Sequence, residues 1–357
     1  MKKALTAAAL FLALCLCLTA ALASGGEAGD PLVSLSYLEG TYSKALDEAI
    51  GLRLDESDQA VRNAVGRMDR SGQAGSAALN EGDVLSGSAG MAFTLLGGEV
   101  RLDVSGGAVV DVTEGREADA GLLTKGHRYL AAEDASVQFT VVSPAAVASW
   151  EGGGVLVPSD GPDYCAIAAA LRTLGLFRGS GSGIGEGFDL YLEPTRGEAL
   201  VMFIRLLGEE DEALACTDGH PFADVPAWLD PYVAWAWRQG YSNGVSDTAF
   251  DPDRPVSAQE YVELLLRALG YSAAGEYDYM TSLDRAADCG ALTRGESSFL
   301  AGVPFRRAHV AYISYYSLDA AVSGAEQTLA QRLAAAGRLT ERQLADARSG
   351  VESLRLA

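Results

Sequence analysis

Three segments in the C-terminal half of the chain share one helix-forming pattern, and this repetition constrains the fold more than any other feature. The segments read EPTRGEALVMFIRLLG at 193–208, PVSAQEYVELLLRALG at 255–270 and VPFRRAHVAYISYYSL at 303–318. They recur about every 55 residues, a period typical of arrays of helical hairpins. Because a lone two-helix unit cannot cover its own apolar face, three such units are predicted to pack around a shared axis.

The first two segments open with a helix-capping signal. Thr195 with Glu198, and Ser257 with Glu260, have the spacing of a capping box. In that motif the hydroxyl accepts a hydrogen bond from the third helical amide, and the carboxylate reaches back to the amide of the cap residue. Helices are therefore predicted to begin at these two sites. The third segment lacks the box but keeps apolar residues at helical spacing.

A shorter helix is predicted ahead of each segment, with a glycine to end it. These helices are expected at 164–177, 228–239 and 279–288. The glycines are Gly179, Gly240 and Gly290. The complete helix–loop–helix units are then predicted at 163–215, 220–272 and 277–318. A further helical hairpin is predicted at 319–357, where Gly337 can stop one helix and Thr340 can cap the next.

The N-terminal half has a different pattern. Apolar residues at three- and four-residue steps between residues 38 and 68 predict a helix. Beyond it apolar and polar residues alternate, as around Val100, Leu102 and Val104, and glycines recur at short intervals. This predicts a small antiparallel β-domain, a sandwich, roll or barrel, within an N-terminal domain at 31–151. The whole chain is therefore predicted to be α+β, with an N-terminal helix and β-domain followed by an all-α half.

The first 23 residues predict export. A short positive start, MKK, is followed by an apolar run and by ALA at 21–23, which is the layout of a cleaved secretory signal peptide. No later segment is long and apolar enough to predict insertion into a membrane. The formal net charge of −21 argues against nucleic acids and acidic membranes as partners.

No signature of catalysis or of a bound cofactor stands out. His127, His220 and His309 are widely separated and have no evident nucleophile or metal-ligand partner. The cysteines after the leader lack CxxC spacing, so neither a zinc site nor a disulfide framework is indicated. The glycine-rich segment at 179–187 lacks the ending of a phosphate-binding loop. We therefore predict no enzyme activity, no metal and no cofactor.

The second unit carries the most specific motifs. It contains FADV at 222–225, Trp228, Gly240 and Gly244, FDP at 250–252 and VSAQE at 256–260. This order of parts resembles the S-layer homology (SLH) module, whose pattern is FxDV, an aromatic first helix, a glycine turn, FxP and a TRAE helix start. The first unit matches the last motif with TRGE at 195–198, and the third keeps only PFR at 304–306. The resemblance covers 163–318, a little under half of the chain.

The resemblance implies a pseudo-threefold, SLH-like bundle whose grooves bind secondary cell-wall polysaccharide. In that family the TRAE arginine faces an acidic pyruvyl ketal, a task that suits a planar guanidinium at a helix start. By position this role falls to Arg196 and Arg306. The second unit has Ala258 instead, so Arg254, four residues earlier, would have to reach the ligand in its place. Trp237 is expected to line a groove.

Three further residues receive structural roles in this interpretation. Trp228 and Trp235 are expected to pack in the core or between units. Asp224 is expected to cap the helix that follows it, as aspartate often does before such a run.

The predicted function is non-covalent anchoring of a secreted protein to the bacterial cell wall or surface. The partner would be a pyruvylated secondary cell-wall polysaccharide or a peptidoglycan-linked polymer, with self-assembly of the chain left open. One alternative is a structural or interaction role with modules that no longer bind glycan, since Ala258 replaces an arginine and the third unit is divergent. Another is a surface enzyme with its activity in the β-domain, because a fold alone does not fix a function.

Overall fold

The computed structural model describes residues 42–47, 49–50, 53, 75–179, 187–271, 277–351 and 355–356. The chain divides into two compact units, Met1–Arg67 and Met68–Ala357. In the first unit residues 43–47 and 49–50 are helical, within the helix predicted at 38–68. Most of that helix and the leader at 1–23 lie outside the described residues. The β-strands and the helical repeats both belong to the second unit.

The β region forms two antiparallel sheets. Its strands, among the described residues, are β1 (Gly75–Asn80), β2 (Val84–Ser88), β3 (Ala92–Gly97), β4 (Val100–Gly106), β5 (Val109–Asp111), β6 (Arg116–Glu117), β7 (Gly121–Leu122), β8 (Arg128–Ala131), β9 (Ser136–Val141), β10 (Ala145–Glu151) and β11 (Val155–Val157). One sheet has the order β1-β10-β3-β8-β5-β6 and the other β11-β2-β9-β4-β7. The alternating pattern thus folds as the predicted antiparallel β-domain.

The two sheets enclose an apolar core. Along β9 exposed and buried residues alternate, so that Val137, Phe139 and Val141 are buried. Phe139 stacks on Phe93 of β3 with ring centroids 4.2 Å apart, which joins one sheet to the other. A slip of one residue would turn every buried side chain of a strand outward, so this period of two also fixes the register.

The helical region follows. Its α-helices, among the described residues, are α1 (Tyr164–Thr173), α2 (Arg196–Leu206), α3 (Glu210–Leu214), α4 (Asp230–Arg238), α5 (Ala258–Ala268), α6 (Ser282–Asp288), α7 (Arg294–Gly302), α8 (Arg307–Tyr316), α9 (Leu329–Ala335) and α10 (Glu341–Ser349). The predicted α+β class is confirmed. The helices of the three repeated segments, α2, α5 and α8, contact one another pairwise. Nowhere in the described ranges is a helix long and apolar enough to cross a membrane.

The capping signals in the sequence account for the starts of two of the three helices in the repeated segments, α2 and α5. Thr195 caps α2 and Ser257 caps α5, each by accepting a hydrogen bond from the third amide of its helix. Glu198 and Glu260 complete both capping boxes by bonding back to the cap amides. These bonds fix which residue comes first in each helix, and hence which side chain stands at its N-terminus.

The shorter helices end at glycines with positive φ, a backbone conformation that side chains with a Cβ disfavour. The glycines that follow α1, α4 and α6 are Gly175, Gly240 and Gly290. The first of these helices is therefore shorter than predicted. Gly175 ends it instead of Gly179, and the amide of Leu176 bonds back to the carbonyl of Leu171 at 2.9 Å.

The third unit has a helix that was not predicted, between the two expected at 279–288 and 303–318. A separate helix, α7, precedes α8, and Thr293 and Glu296 form its capping box. The tetrapeptide Thr-Arg-Gly-Glu that starts α2 therefore starts α7 as well. Only after this helix does α8 begin, at Arg307, with Arg306 as its cap residue.

Specific contacts join the β-domain to the first helical unit. The Asn80 side chain donates to Asp163, which caps α1, at 2.9 Å, and accepts from the amide of Cys165 at 3.2 Å. In β3, Gly97 lies against Tyr191 so closely that a Cβ at this position would come within 2.4 Å of the ring. The loop that leads into α2 is thus held against the sheet.

Candidate functional site

A groove of about 200 Å³ lies where the start of α2 approaches the second helical unit. Its walls come from the first residue of α2, the turn after α4, one face of α5 and Tyr279. The lining residues are Arg196, Tyr241, Ser242, Asn243, Gly244, Val245, Glu260, Glu263, Leu264, Arg267 and Tyr279. Most of these side chains are polar, so the groove presents hydrogen-bonding groups over much of its surface.

Arg196 is anchored on several sides without being sealed. Its Nε donates to the carbonyl of Phe250 at 2.9 Å, and its Nη1 donates to Oε1 of Glu260 at 3.1 Å. The guanidinium lies 4.8 Å from the centre of the Phe250 ring. Burial lowers the pKa of Arg196, with Glu260 acting in the opposite direction, and 14% of the side chain remains exposed.

Glu260 joins two arginines. Arg254 binds its two oxygens at 2.6 and 3.1 Å, and the amide of Ser257 donates to Oε2 at 3.1 Å. Burial alone would raise the pKa of this carboxyl, but the bonds from Arg254 and Ser257 and the charge of Arg196 hold it below its usual value. The structure therefore brings Arg196 and Arg254, two predicted ligand-binding residues, to one carboxylate.

The rest of the groove wall also carries both positive and negative charges. Arg267 donates to Glu263 at 2.9 Å, and the hydroxyl of Tyr277 donates to the same carboxylate at 2.9 Å. The lining as a whole contains two arginines and two glutamates, while Asn243 and Tyr279 are exposed. Such a surface suits a ligand that carries many hydroxyls and at most a small charge.

Two of the long helices begin with the same backbone contact. The first two amides of α2 donate to the carbonyls of Arg254 and Pro252, at 2.8 and 2.9 Å. The first two amides of α8 donate to the carbonyls of Leu192 and Leu190, at 2.8 and 3.0 Å. The four acceptors have equivalent places in the loops that lead into α5 and α2. The starts of α2 and α8 therefore occupy equivalent positions in the fold.

This equivalence corrects the assignment of Arg306. The first residue of α8 is Arg307, which corresponds to Arg196, whereas Arg306 corresponds to the cap residue Thr195. Arg306 instead pairs with Glu99 of the β-domain at 2.8 Å and donates to the carbonyl of Tyr191 at 3.2 Å. The predicted alignment of the third segment is one residue out of register, because this segment has no Ser or Thr to mark the cap.

Arg307 does not open into a comparable groove. Only 6% of it is exposed. Its Nε donates to the carbonyl of Phe188 at 3.0 Å, and its Nη1 lies 3.5 Å from the sulfur of Met202. The ring of Phe177 lies 5.9 Å from the guanidinium. At this helix start the arginine is therefore covered by the protein itself.

Trp237 and Trp228 depart from their predicted places, whereas Trp235 packs against the helical core as predicted. Trp237 is 40% exposed but is not a lining residue of the groove, and it packs edge-on against Phe222. Trp228 is 56% exposed, because it lies in the turn before α4 and not on the helix itself. Trp235 is half-buried and donates its indole N–H to Glu209 at 2.9 Å.

Asp224 does not cap the helix that follows. Its two oxygens accept the amides of Phe250 and Asp251, at 2.8 and 2.7 Å. The start of α4, Asp230, lies too far along the chain, and its cap position at Leu229 has no side-chain hydrogen bond. Asp224 thus stabilises the loop that contains Phe250, the residue that contacts Arg196.

The histidines lie in separate places. His127 is 2.8 Å from Asp111 in the β-domain, and His220 is 3.1 Å from Asp230. His309 is buried in α8. Within the described part of the chain, no group of three or more His, Cys, Asp and Glu side chains is placed to hold a metal ion.

Comparison with known proteins gives partial sequence matches. No family model matches the chain. It is 30% identical over 139 residues to the middle cell wall protein of Brevibacillus brevis, which covers 38% of this chain and 13% of that protein. It is also 30% identical over 118 residues to a cell surface protein of Thermoanaerobacter kivui, which covers 32% of this chain and 15% of that protein. The chain is similar to cell-wall and cell-surface proteins.

These matches span only a small part of either relative. Among solved structures, procruciferin, an 11S globulin of Brassica napus, matches 25% of this chain and 23% of its own at 14% identity. Its TM-score of 0.17 is too low for the likeness to carry an argument.

Proposed function

We propose that this chain is a secreted, non-enzymatic protein that attaches non-covalently to the bacterial cell wall through SLH-like modules. The groove at Arg196 binds secondary cell-wall polysaccharide. The observation that carries the proposal is a partly exposed guanidinium at a helix start, in a polar groove between two repeated units. Similarity to a cell wall protein and a cell surface protein supports the location.

The chemistry of the groove fits an acidic sugar such as one that carries a pyruvyl ketal. Arg196 already donates to one carboxylate, that of Glu260, and a ligand carboxylate can compete for the same planar donors. The N-terminus of α2 adds a favourable field for an anion. Asn243 and Tyr279 then offer an amide and a hydroxyl to the ring substituents.

Retention on purified wall sacculi tests the proposal. We expect Arg196→Ala to weaken binding about tenfold or more, since a hydrogen bond to a charged group contributes about 1.5–3 kcal/mol. Arg294→Ala is the matched control, because Arg294 occupies the same place in the identical tetrapeptide but is 72% exposed and pairs with Asp288. Equal retention of the two variants would contradict the assignment.

The same assay distinguishes the two proposed partners. A pyruvylated polysaccharide should lose affinity when its ketals are removed by mild acid, and Arg196→Ala should then cause little further loss. If removal of the ketals has no effect, the partner is a peptidoglycan-linked polymer that the groove recognises by its hydroxyls.

A structural or interaction role is the second candidate. It is favoured by the second and third units, where Ala258 replaces the arginine and Arg307 is buried. Saturable binding of wall polysaccharide in a calorimetric titration would rule it out.

A further inference from the structure

A buried carboxylate in the third unit binds an arginine from the end of the chain. Glu296 is fully buried. Its oxygens accept from the amide of Thr293 at 2.6 Å, from the hydroxyl of Tyr312 at 2.5 Å, and from Nε and Nη2 of Arg355 at 2.6 Å each. Two parallel N–H bonds to one carboxylate add both energy and geometric specificity to the pair.

Two tyrosines beside Arg355 add further contacts to its guanidinium and to the neighbouring backbone. The group lies 4.1 Å from the centre of the Tyr316 ring, within the range of a cation–π contact. The amide of the next residue, Leu356, donates to the hydroxyl of Tyr312 at 2.8 Å. Burial would raise the pKa of Glu296, but the bonds from Arg355, Tyr312 and Thr293 hold it below its usual value.

The position of this cluster corresponds to the groove of the second unit. Tyr312 and Tyr316 are the sixth and tenth residues of α8, as Glu263 and Arg267 are of α5. In the second unit those two positions line the open groove. Arg355 and Leu356 therefore cover the corresponding face of the third unit.

We infer that this face is a binding site for an arginine side chain carried by a peptide segment, and that Arg355 occupies it as an internal ligand. Glu296 supplies the carboxylate, Tyr316 the ring and Tyr312 the contact to the peptide backbone. While Arg355 is bound, the third unit is closed to outside ligands. This inference does not depend on wall binding by the Arg196 groove.

Arginine amide is the probe, and Arg355→Ala in the full chain is the test protein. The expected result is a lower Tm for Arg355→Ala, recovered on addition of arginine amide, with saturable binding by calorimetry. Wild-type protein should bind none at this site. Arg348→Ala is the matched control, because Arg348 also lies near the C-terminus but pairs at the surface with Asp319.

Two further variants make the result decisive. In Arg355→Ala, the additional change Glu296→Gln should abolish the recovery, and lysine amide should recover less than arginine amide because it has no planar fork. The inference is overturned if Arg355→Ala binds no more arginine amide than the wild type does. It is equally overturned if Arg355→Ala fails to fold with the amide present, since Arg355 would then be part of the core and not an exchangeable occupant.

Discussion

Arg196 and Arg307 begin equivalent helices, yet one faces a groove and the other is buried. Both donate Nε to the carbonyl of a loop phenylalanine, at 2.9 and 3.0 Å. The backbone contacts at the two helix starts are also the same. The side chain of Arg196 nevertheless lines a groove of about 200 Å³, whereas Arg307 is 6% exposed. The motif arginine alone therefore does not make a binding site.

The residue across from each arginine accounts for the difference. In each unit this residue lies two positions after the glycine that ends the shorter helix. It is Ser242 after α4 in the second unit and Phe177 after α1 in the first. Ser242 leaves space beside Arg196, with its hydroxyl 3.5 Å from Nη2. Phe177 is fully buried and fills the corresponding space beside Arg307. One position thus decides whether the space between units is a groove or a core.

The largest expected effect is the cost of removing the buried ring. Phe177→Ser should lower the free energy of unfolding by about 3–5 kcal/mol, the range seen when a buried Phe is truncated. Urea denaturation measures this, with Ser242→Ala as the control at the equivalent position. A loss below about 1 kcal/mol would mean that Phe177 is not what seals Arg307.

The second prediction concerns pH and the third unit. Where α2 and α5 have Glu198 and Glu260, α8 has His309. Burial, and then the charge of Arg306, lower the pKa of His309 from 6.5 to about 4. The unfolded chain binds this proton more readily, so the free energy of unfolding should fall as the pH drops from about 6.5 to about 4, by roughly 3 kcal/mol.

His309→Gln should flatten this part of the pH profile, since Gln can complete a capping box without a charge. The measurement is urea unfolding at pH 7 and pH 4.5 in both proteins. The carboxylates with lowered pKa, such as Glu260 and Glu296, contribute stability that is lost progressively below about pH 5, and this loss is common to both proteins. An unchanged slope in His309→Gln would exclude His309 as the cause.

The third prediction introduces a phenylalanine into the open groove, at the position equivalent to Phe177. Ser242→Phe should fill the space beside Arg196 and weaken retention on wall sacculi by about tenfold or more, equivalent to about 1.4 kcal/mol. Val155→Phe serves as a control for size, because Val155 is 66% exposed on β11 and does not line the groove. Circular dichroism should show that both variants stay folded. Full retention by folded Ser242→Phe would separate wall binding from this groove.

Structural features that depend on residues close together in the chain are predicted well from the sequence. The capping boxes of α2 and α5 rest on pairs three residues apart, and the strands of the β-domain rest on alternation. Both follow from local geometry. The same local signal at Thr293–Glu296 could have identified α7, since its four letters repeat those at 195–198.

Contacts between distant residues could not be predicted in this way. Asp224 supports a loop 26 residues further on, and Arg355 reaches Glu296 across 59 residues. The register of α8 is set by carbonyls of the first unit, which no nearby residue reveals. The predictions for Arg306 and Asp224 are wrong for this reason. The burial of Arg307 likewise depends on Phe177, which is far away in sequence.

The smallest expected effect separates the two arginines that share Glu260. Arg254 is 40% exposed, so its ion pair is largely screened by solvent. Arg254→Ala should cost about 1 kcal/mol or less, since Arg196 and the Ser257 amide still satisfy the carboxylate. Retention on sacculi should change less than in Arg196→Ala, because the lining of the groove includes Arg196 and not Arg254. If Arg254→Ala reduced retention as much as Arg196→Ala, the wall ligand would have to extend beyond the groove to Arg254.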